Sequence, residues 1–387
     1  MQVIPVMRPK LPSADQVLPY LRRLDSSRIY SNWGPLVSEF EDRLCEHFAL
    51  PAGSVVTASC GTMALVGAIL AVAGRATSEK PYALMPAYTF VGTAAAAEQC
   101  GYVPYLVDID PGSWALNAAT LLGHPALKRI GVVIPVAPYG RPVPQAPWQA
   151  FRAETGIPVV IDGAACFDGI SAWPDPFLGA IPVAMSFHAT KCFGSGEGGC
   201  VVSVDEPNQQ KAIAQALNFG FYKDRVSRSA STNGKMSEYH AAVGLAELSG
   251  WKDKQSLFRN VINRYQHHFG AAGLLASFHS APDLSACYAL YVCKSASEAA
   301  RMQELLYDRG VDSRLWYGNG LHHHPSLKHA PRDDLEVTEE VAPKIVGIPM
   351  AVELTDSDIA RVVDALVDSL GAISSPEDVT YSAAAQS

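Results

Sequence analysis

The stretch Ser186-Phe187-His188-Ala189-Thr190-Lys191 decides the fold of this chain, because it follows an apolar strand-like run and precedes a cluster of glycines. The run is Val183-Ala184-Met185-Ser186, and the cluster is Gly194-Ser195-Gly196-Glu197-Gly198-Gly199. Upstream, a second strand-like run, Ile157-Pro158-Val159-Val160-Ile161, ends in Asp162. An amine and a carboxylate are therefore expected at the ends of two strands, where open α/β sheets bind ligands.

The chain between about residues 55 and 205 alternates short β-branched or apolar runs with longer segments. This alternation is typical of an α/β protein whose mostly parallel sheet is flanked by helices, and we expect seven strands. Residues 200–204 follow the glycines without room for a helix. We therefore expect them to pair antiparallel with the strand that carries Ser186.

The pattern divides the chain into three parts. Residues 1–250 are expected to form an extended, proline-punctuated arm, a helix at residues 35–48 and the large α/β domain. A long helix from residue 237 to about 269 leads into a small α+β domain over residues 251–373, which ends in a helix at residues 356–370. Residues 374–387 are small and polar, and we expect a disordered tail.

The composition excludes several classes of protein. The 387 residues are 48% hydrophobic and 18% charged, and the net charge of -8 offers no basic surplus for nucleic acid or an anionic membrane. The eight cysteines form no C-x-x-C pair, and we interpret them as reduced thiols. No signal peptide or membrane-spanning run is recognisable. We expect a cytoplasmic protein without nucleic-acid or membrane partners.

Lys191 and Asp162 are the pair of groups that pyridoxal 5'-phosphate (PLP) requires. The lysine forms a Schiff base with the cofactor aldehyde, and the carboxylate keeps the pyridine nitrogen protonated. Gly61 and Thr62 follow the first strand and open a helix, whose N-terminus favours a phosphate. A helix cap would explain this motif alone, but its combination with Lys191 and Asp162 favours the phosphate.

Two further positions fit the same ligand. The second strand closes in Pro86-Ala87-Tyr88-Thr89-Phe90, where an aromatic ring is placed to stack on a flat heterocycle, although aromatic residues there more often belong to the core. Ser186 offers one more donor to the phosphate, and as a single residue it fits a turn equally well.

Two motifs are interpreted as structural. The glycine cluster matches G-x-G-x-x-G, but a strand rather than a helix follows it, so a dinucleotide site is not predicted. Adjacent histidines on an extended segment point to opposite sides, so His322-His323-His324 does not predict a metal site. A solvated loop that contacts substrate is the favoured interpretation of this segment.

The chain resembles the sugar aminotransferases of the DegT/DnrJ/EryC1/StrS family, and the resemblance spans about residues 5 to 370. The matching motifs are Tyr30-Ser31-Asn32-Trp33-Gly34-Pro35, Cys60-Gly61-Thr62, Pro86-Ala87-Tyr88-Thr89-Phe90, Asp108-Ile109-Asp110, Tyr139-Gly140, Asp162-Gly163-Ala164-Ala165, the segment from Ser186 to Lys191 with its Gly-Glu-Gly-Gly, Asn233-Gly234-Lys235-Met236-Ser237-Glu238 and Ile348-Pro349-Met350. The resemblance implies the fold of type I PLP-dependent transferases.

The resemblance also implies roles for single residues. Gly61, Thr62 and Ser186 would bind the cofactor phosphate, Phe90 would stack on its ring, Asp162 would pair with the ring nitrogen, and Lys191 would form the Schiff base. Asn233 would reach the phosphate of a neighbouring subunit, which implies a homodimer with shared active sites. Asn32 and Trp33 would lie near the substrate. His322 is a further candidate for contact with the substrate, which follows from the loop interpretation of its segment and not from the resemblance.

The chain departs from the family pattern at two positions. Ala165 stands where the family usually carries Gln or His bonded to the phenolic oxygen of the cofactor, so weaker control of the ring electronics is expected. Lys235 stands where arginine is commoner, which keeps a cation but loses the bidentate fork.

The implied activity is aminotransfer from L-glutamate, through pyridoxamine phosphate, to the C-4 or C-3 ketone of a deoxysugar nucleotide. Amino-sugar biosynthesis for a cell-surface polysaccharide or a secondary metabolite would use such a product. Lys223, Arg225 and Arg228 either contact the diphosphate or form a solvated loop. The alternatives are an aminocyclitol or other cyclic ketone as substrate, or a non-catalytic PLP-binding regulator. Related sugar dehydratases replace the lysine with histidine, so Lys191 disfavours that activity.

Overall fold

A computed structural model describes residues 3–204, 207–279 and 287–374 of the protein. Its large sheet contains the strands β1 (Val55–Ala58), β2 (Tyr82–Pro86), β3 (Val103–Val107), β4 (Ile130–Val133), β5 (Ile161–Asp162), β6 (Val183–Ser186) and β7 (Gly199–Val202). Their order across the sheet is β3-β2-β4-β5-β6-β7-β1, and the bridges Val133–Val159 and Val136–Asp162 join β4 to the β5 segment.

The direction of the strands confirms the predicted α/β fold with a mostly parallel sheet of seven strands. The pairs β2–β3, β2–β4 and β5–β6 are parallel, and so are the bridges between β4 and the β5 segment. Strand β7 is antiparallel to both β6 and β1, and Ser186 pairs with Gly199 at the turn end. The predicted antiparallel pairing after the glycine cluster is therefore confirmed.

Helices cover the sheet on both faces. Those of the first 216 residues are α1 (Ala14–Ser27), α2 (Pro35–His47), α3 (Gly61–Val72), α4 (Val91–Gln99), α5 (Ala118–Leu121), α6 (Gln145–Thr155), α7 (Phe167–Ala172) and α8 (Pro207–Ala216). Helix α3 is almost entirely apolar and is buried along most of its length. It lies between the sheet and α8, so it is covered on both sides and needs no polar face toward solvent.

The prediction of an extended arm is wrong for residues 14–27, because helix α1 forms there. The N–H of Ser13 donates to the side chain of Gln16 at 2.8 Å, which satisfies one donor at the start of this helix. Val17 and Leu24 are buried, and the helix packs against α9 (Glu238–Ala271). This tertiary burial overrides the helix-breaking tendency of Pro19, which lies inside α1.

The strand before Asp162 is shorter than residues 157–161. Strand β5 consists of Ile161 and Asp162, and Val159 makes only an isolated bridge to Val133. The carbonyl of Pro158 accepts from the Val133 N–H. Because Pro158 has no N–H to donate, the hydrogen-bond ladder does not continue toward residue 157.

The C-terminal part contains a second sheet, β10-β9-β8, whose strands are antiparallel. Its elements are β8 (Phe278–His279), β9 (Ala289–Val292), α10 (Ala296–Asp308), α11 (Glu336–Val341), β10 (Ile345–Ile348) and α12 (Asp356–Ile373). The proposed domain boundary at residue 250 falls within α9, which continues from one part into the other. Within the predicted tail, residues 375–387 lie outside the described residues.

An aromatic core fixes the segment that carries Lys191. Phe187 and Phe193 are fully buried on either side of the lysine, and Phe193 stacks on Phe167 with ring centroids 4.0 Å apart. Trp251 of α9 contacts both Phe167 and Phe193 edge-on. Burial of each phenyl ring contributes about 2–3 kcal/mol, so the backbone around Lys191 is held firmly.

Among the residues that the structure describes, no helix combines the length and the apolar character needed to cross a membrane.

Candidate active site

Lys191 projects from a tight loop between β6 and β7. The loop is closed by backbone hydrogen bonds from Phe187 N–H to the Gly198 carbonyl and from Ala189 N–H to the Gly196 carbonyl. Gly196 has a φ of +87°, a left-handed conformation that favours glycine. The lysine Nζ donates to the hydroxyl of Tyr288 at 2.9 Å. The amine is thus held in a defined position between the two parts of the chain.

Asp162 lies on β5, the parallel neighbour of β6, and pairs in register with Ala184. Its carboxylate is buried: Oδ1 accepts from the Ala164 N–H at 3.1 Å and Oδ2 accepts from Thr93 Oγ1 at 2.7 Å. Burial raises the pKa of Asp162, while the bonds from Thr93 and Ala164 and the charge of Lys191 oppose that rise. The structure therefore places an amine and a buried acid at neighbouring strand ends.

A narrow corner joins the start of α3 to the end of β6. A Cβ on Gly61 would lie 2.6 Å from Ser186 Cβ, so only glycine permits this close approach. The helix is capped by Cys60, whose Sγ accepts from the Met63 N–H, so Thr62 is not the N-cap. The first N–H groups of α3 have no partners within the helix and remain able to bind an anion.

Phe90 lies on the other side of this corner. Its ring is 60% exposed, and a Cβ on Gly92 would lie 3.2 Å from the Phe90 ring and 3.7 Å from Thr62 Oγ1. Thr93, the donor to Asp162, follows three residues later on α4. An exposed aromatic ring, a buried acid, a lysine and a helix N-terminus around one space suit a flat pyridine with a phosphate arm, so these residues fit PLP.

Sequence comparison agrees with this geometry. The model of the DegT/DnrJ/EryC1/StrS aminotransferase family matches residues 13–367. The chain belongs to this family. It is therefore a PLP-dependent aminotransferase with the fold of type I PLP enzymes, as the sequence predicts.

Three similar proteins cover almost the whole aminotransferase. Protein Rv3402c of Mycobacterium tuberculosis strain H37Rv is 32% identical over 94% of this chain and 89% of its own length. The dTDP-4-amino-4,6-dideoxy-D-glucose transaminase of Escherichia coli is 26% identical over 95% and 98% of the two chains. The crystal structure of DesI in the presence of its TDP-sugar product has a TM-score of 0.82 and 28% identity over 95% and 93%.

Four tyrosines of the aminotransferase surround the part of the site that contains the Lys191 amine, which we call the lysine side. Sequence reasoning did not single them out for a role. Tyr139 stacks on Tyr317 at 4.5 Å and contacts Tyr288 edge-on at 5.3 Å. The hydroxyls of Tyr88 and Tyr139 are 2.6 Å apart. Burial raises the pKa of each of these phenols, so they stay neutral at neutral pH. Tyr88 and Tyr139 lie within motifs of the family resemblance, which could have pointed to them. Tyr288 and Tyr317 lie in no such motif, and tyrosine is common in protein cores.

The arm around Asn32 and Trp33 has a constrained backbone, because both residues have positive φ, of 65° and 53°. Trp33 Nε1 donates to Glu41 Oε1 at 3.0 Å, and the N–H and hydroxyl of Thr57 each donate to the same oxygen at 2.7 Å. Burial raises the pKa of Glu41 to about 7. Glu41 therefore ties the arm to β1, and sequence reasoning missed this residue.

Glu238 fixes the same arm from the opposite side. Its carboxylate, fully buried, accepts from the N–H groups of Leu36 and Val37 at 2.7 and 3.0 Å, at the start of α2. The carboxylate thereby neutralises the positive end of that helix.

Asn233 is exposed and accepts from Lys235 Nζ at 2.6 Å. The next residue, Gly234, accepts a bond from the N–H of Ser59, directly before the phosphate corner of the same chain. Lys235 Nζ also lies 4.4 Å from the centroid of the Phe219 ring. The predicted contact of Asn233 with a neighbouring subunit stays a prediction.

His322 and His323 do not point to opposite sides, so the reason for setting a metal site aside is wrong. The residues lie in a 3-10 turn with ring centroids 4.3 Å apart, and their Nε2 atoms lie 2.8 and 3.3 Å from the two oxygens of Glu339. A short turn brings adjacent side chains together where an extended segment would separate them. His322 is buried in this cluster, and its contact with substrate stays a prediction.

The loop after α8 that carries Lys223, Arg225 and Arg228 is solvent-exposed. Arg228 forms two hydrogen bonds with Asp224, of 2.5 and 2.7 Å, and Lys223 Nζ lies over the ring of Tyr222. A solvated loop is the interpretation that fits Arg228, because its guanidinium is already paired with a carboxylate.

Proposed function

We propose that this aminotransferase transfers the amino group of L-glutamate to the ketone of a deoxysugar attached to a nucleoside diphosphate, at C-4 or C-3 of the sugar. The observation that carries the proposal is the placement of Lys191 and Asp162 at the ends of the adjacent parallel strands β6 and β5. The sugar nucleotide in the name of the similar Escherichia coli transaminase and the TDP-sugar product of DesI support the sugar nucleotide as acceptor.

PLP, when bound, would carry the amino group between donor and acceptor and draw electrons from the reacting carbon. Asp162 would keep a proton on the pyridine nitrogen, and Phe90 would support the ring face. Gly61, Thr62 and Ser186 would bind the phosphate, and their close approach leaves room for no further side chain between α3 and β6.

Lys191 would move the proton. Its Nζ would take a proton from the α-carbon of the donor, and in the second half-reaction would return one to the sugar carbon that receives the amino group. Tyr288, whose hydroxyl accepts the Nζ hydrogen bond, would orient this amine. Because Tyr288 is neutral, it would not compete with the cofactor for the lysine as a counter-ion.

A two-stage absorbance experiment tests the activity. L-Glutamate added to the PLP-loaded protein should remove the visible absorbance of the bound cofactor, and 2-oxoglutarate should accumulate in equal amount. A panel of keto-deoxysugars on dTDP, UDP and GDP should then restore the absorbance for one member. Restoration only by a keto-cyclitol would replace the sugar nucleotide as substrate, and absorbance that no amino acid removes would contradict aminotransfer.

We also propose a homodimer in which Asn233 serves the neighbouring active site. Mixing Lys191→Ala and Asn233→Ala chains should then restore activity above that of either variant alone, because one site of the mixed dimer would contain both native residues. If Asn233 acts within its own chain, the mixture would show no gain. Size measurement in solution gives the matching control, since a monomer would contradict the shared site.

A further inference from the structure

Arg141 begins close to the segment that follows Asp162. A Cβ on Gly140 would lie 2.6 Å from the carbonyl oxygen of Ala165, so the Gly140 backbone packs directly on that segment. Arg141 is the next residue after Gly140, so its Cα lies about 3.8 Å from the Cα of Gly140. Tyr139, on the other side of Gly140, contacts Tyr288, the partner of Lys191.

An indole ring and an imidazole hold the guanidinium of Arg141 in place. Its Cζ lies 5.3 Å from the ring centroid of the buried Trp114, and its Nη2 lies 3.4 Å from Nδ1 of His279 on β8. Within residues 3–204, 207–279 and 287–374, no carboxylate lies at ion-pair distance from it. Other arginines of the chain, such as Arg23, Arg228 and Arg301, contact Glu or Asp.

This arrangement is costly unless an anion binds. Arg141 is partly buried, and burial lowers its pKa, so the surroundings disfavour an unpaired cation. Burial and the adjacent cation of Arg141 also lower the pKa of His279, which favours the neutral imidazole. In neither protonation state does this ring balance the charge of the guanidinium. The planar guanidinium fixed over Trp114 keeps the paired N–H donors that match the two oxygens of a carboxylate.

We propose that Arg141 binds a carboxylate of the amino donor at the junction of the large sheet and β8. This inference rests on the proposed aminotransfer, and it adds the residue that recognises the donor. A chain of ring contacts links the two groups: Trp114, below Arg141, contacts Tyr139 at 6.1 Å, and Tyr139 contacts Tyr288 at 5.3 Å. The hydroxyl of Tyr288 accepts from Lys191 Nζ. A carboxylate would match the guanidinium fork and would supply the negative charge that the described residues do not offer to Arg141.

The test measures donor binding in the first half-reaction of the PLP-loaded protein. Arg141→Gln should raise the apparent dissociation constant of L-glutamate about 10- to 100-fold, as expected when a charged hydrogen-bond pair is lost. Arg141→Lys should show an intermediate increase, because the charge remains without the fork. Arg129→Gln is the matched control, since Arg129 lies 4.9 Å over the Tyr82 ring in an exposed position.

Two further arms separate this inference from the proposed function. Glutarate, which cannot react, should bind the wild-type holoenzyme in calorimetry and bind Arg141→Gln more weakly, independently of turnover. L-Glutamine tells which carboxylate is bound: equal losses for both amino acids identify the α-carboxylate, and a loss for glutamate alone identifies the side-chain carboxylate.

The inference is overturned if wild type consumes glutamate and Arg141→Gln does so with the same dissociation constant. It is also overturned if the variant loses affinity only for the sugar nucleotide. A wild-type protein that reacts with no amino acid would instead contradict the proposed function, and the glutarate measurement would still report on Arg141.

Discussion

The cofactor side and the lysine side of the candidate site are built in different ways. On the cofactor side, Gly61, Phe90 and Ser186 lie at the ends of elements where the chain turns, and small residues allow close backbone contact. On the lysine side, Tyr139, Tyr288 and Tyr317 come from three distant segments and meet only through packing. The first side is encoded by short motifs, and the second by the long-range fold.

Removal of Lys191 should have the largest effect, because both sides converge on its amine. Lys191→Ala should lower transamination at least about 10³-fold through loss of the general base and of the covalent attachment of PLP. The purified variant should also lack the visible band of the lysine-bound cofactor. Lys252→Ala, an exposed lysine of α9, is the control, and turnover retained by Lys191→Ala would remove this residue from the mechanism.

Tyr288→Phe should separate the lysine side from cofactor binding. Loss of the hydroxyl that accepts from Lys191 Nζ should lower kcat about 10-fold, since one hydrogen bond that orients the base is lost. The affinity for PLP should stay close to that of wild type. Tyr20→Phe is the control, because it removes an exposed tyrosine hydroxyl that contacts Ser249 instead of Lys191. A weaker hold on PLP with an unchanged kcat would place Tyr288 on the cofactor side instead.

Ser186→Ala should weaken PLP binding and leave kcat almost unchanged, which is the opposite of the expectation for Tyr288→Phe. Loss of one phosphate donor should raise the dissociation constant of PLP about 5- to 10-fold, while kcat at saturating PLP changes little. Equilibrium dialysis with PLP measures the constant. Ser256→Ala on α9 provides a matched loss of a hydroxyl that bonds only to the backbone. If kcat falls and PLP binding does not, the division between the two sides is wrong.

Glu41→Gln should change stability with a defined pH dependence and affect activity least. The folded pKa of about 7 exceeds the ordinary value of 4.5, so the folded state retains a proton that the unfolded state has released. Wild-type stability should therefore fall between about pH 4.5 and 7, on the order of 1–3 kcal/mol relative to the variant. Denaturant unfolding of both proteins at pH 5 and pH 8 measures the difference.

The amide that Glu41→Gln introduces keeps an acceptor for Trp33 and Thr57, so the arm should keep its position. Glu46→Gln, which changes an exposed residue of the same helix, should show no such dependence on pH. A stability difference that is the same at both pH values would mean that Glu41 is ionised throughout this range.

Much of the fold was predictable from local patterns. Strand β6 has the predicted bounds, because its apolar run is bordered by clear turns. Helix α1 was not predictable, because Pro19 and the prolines before the helix favour an extended chain, and its stability comes from packing of Val17 and Leu24 on α9. The short length of β5 also depends on more than its apolar pattern. The regular hydrogen-bond ladder is interrupted at Pro158, and bonds to Val133 and Pro182 hold the segment in the sheet.

The candidate site divides in the same way. Asp162 and Lys191 were predictable as chemically active residues because each follows a strand-like run, and parallel strands bring their carboxyl ends to one edge. Arg141 was not predictable, because the sequence shows a cation but not that Trp114 and His279 surround it, with no carboxylate of the described residues at ion-pair distance. The pairing of His322 and His323 with Glu339 likewise depends on a turn that their order in the chain does not specify.

The sequence by itself determined the chemistry: a lysine and an aspartate at strand ends, a glycine where α3 meets β6, and the family to which these residues belong. The tertiary structure decided which other residues share the site. Strand period and glycine geometry act over a few residues, whereas the contacts of Tyr288 with Tyr139 and of Arg141 with His279 arise from the packing of segments more than a hundred residues apart.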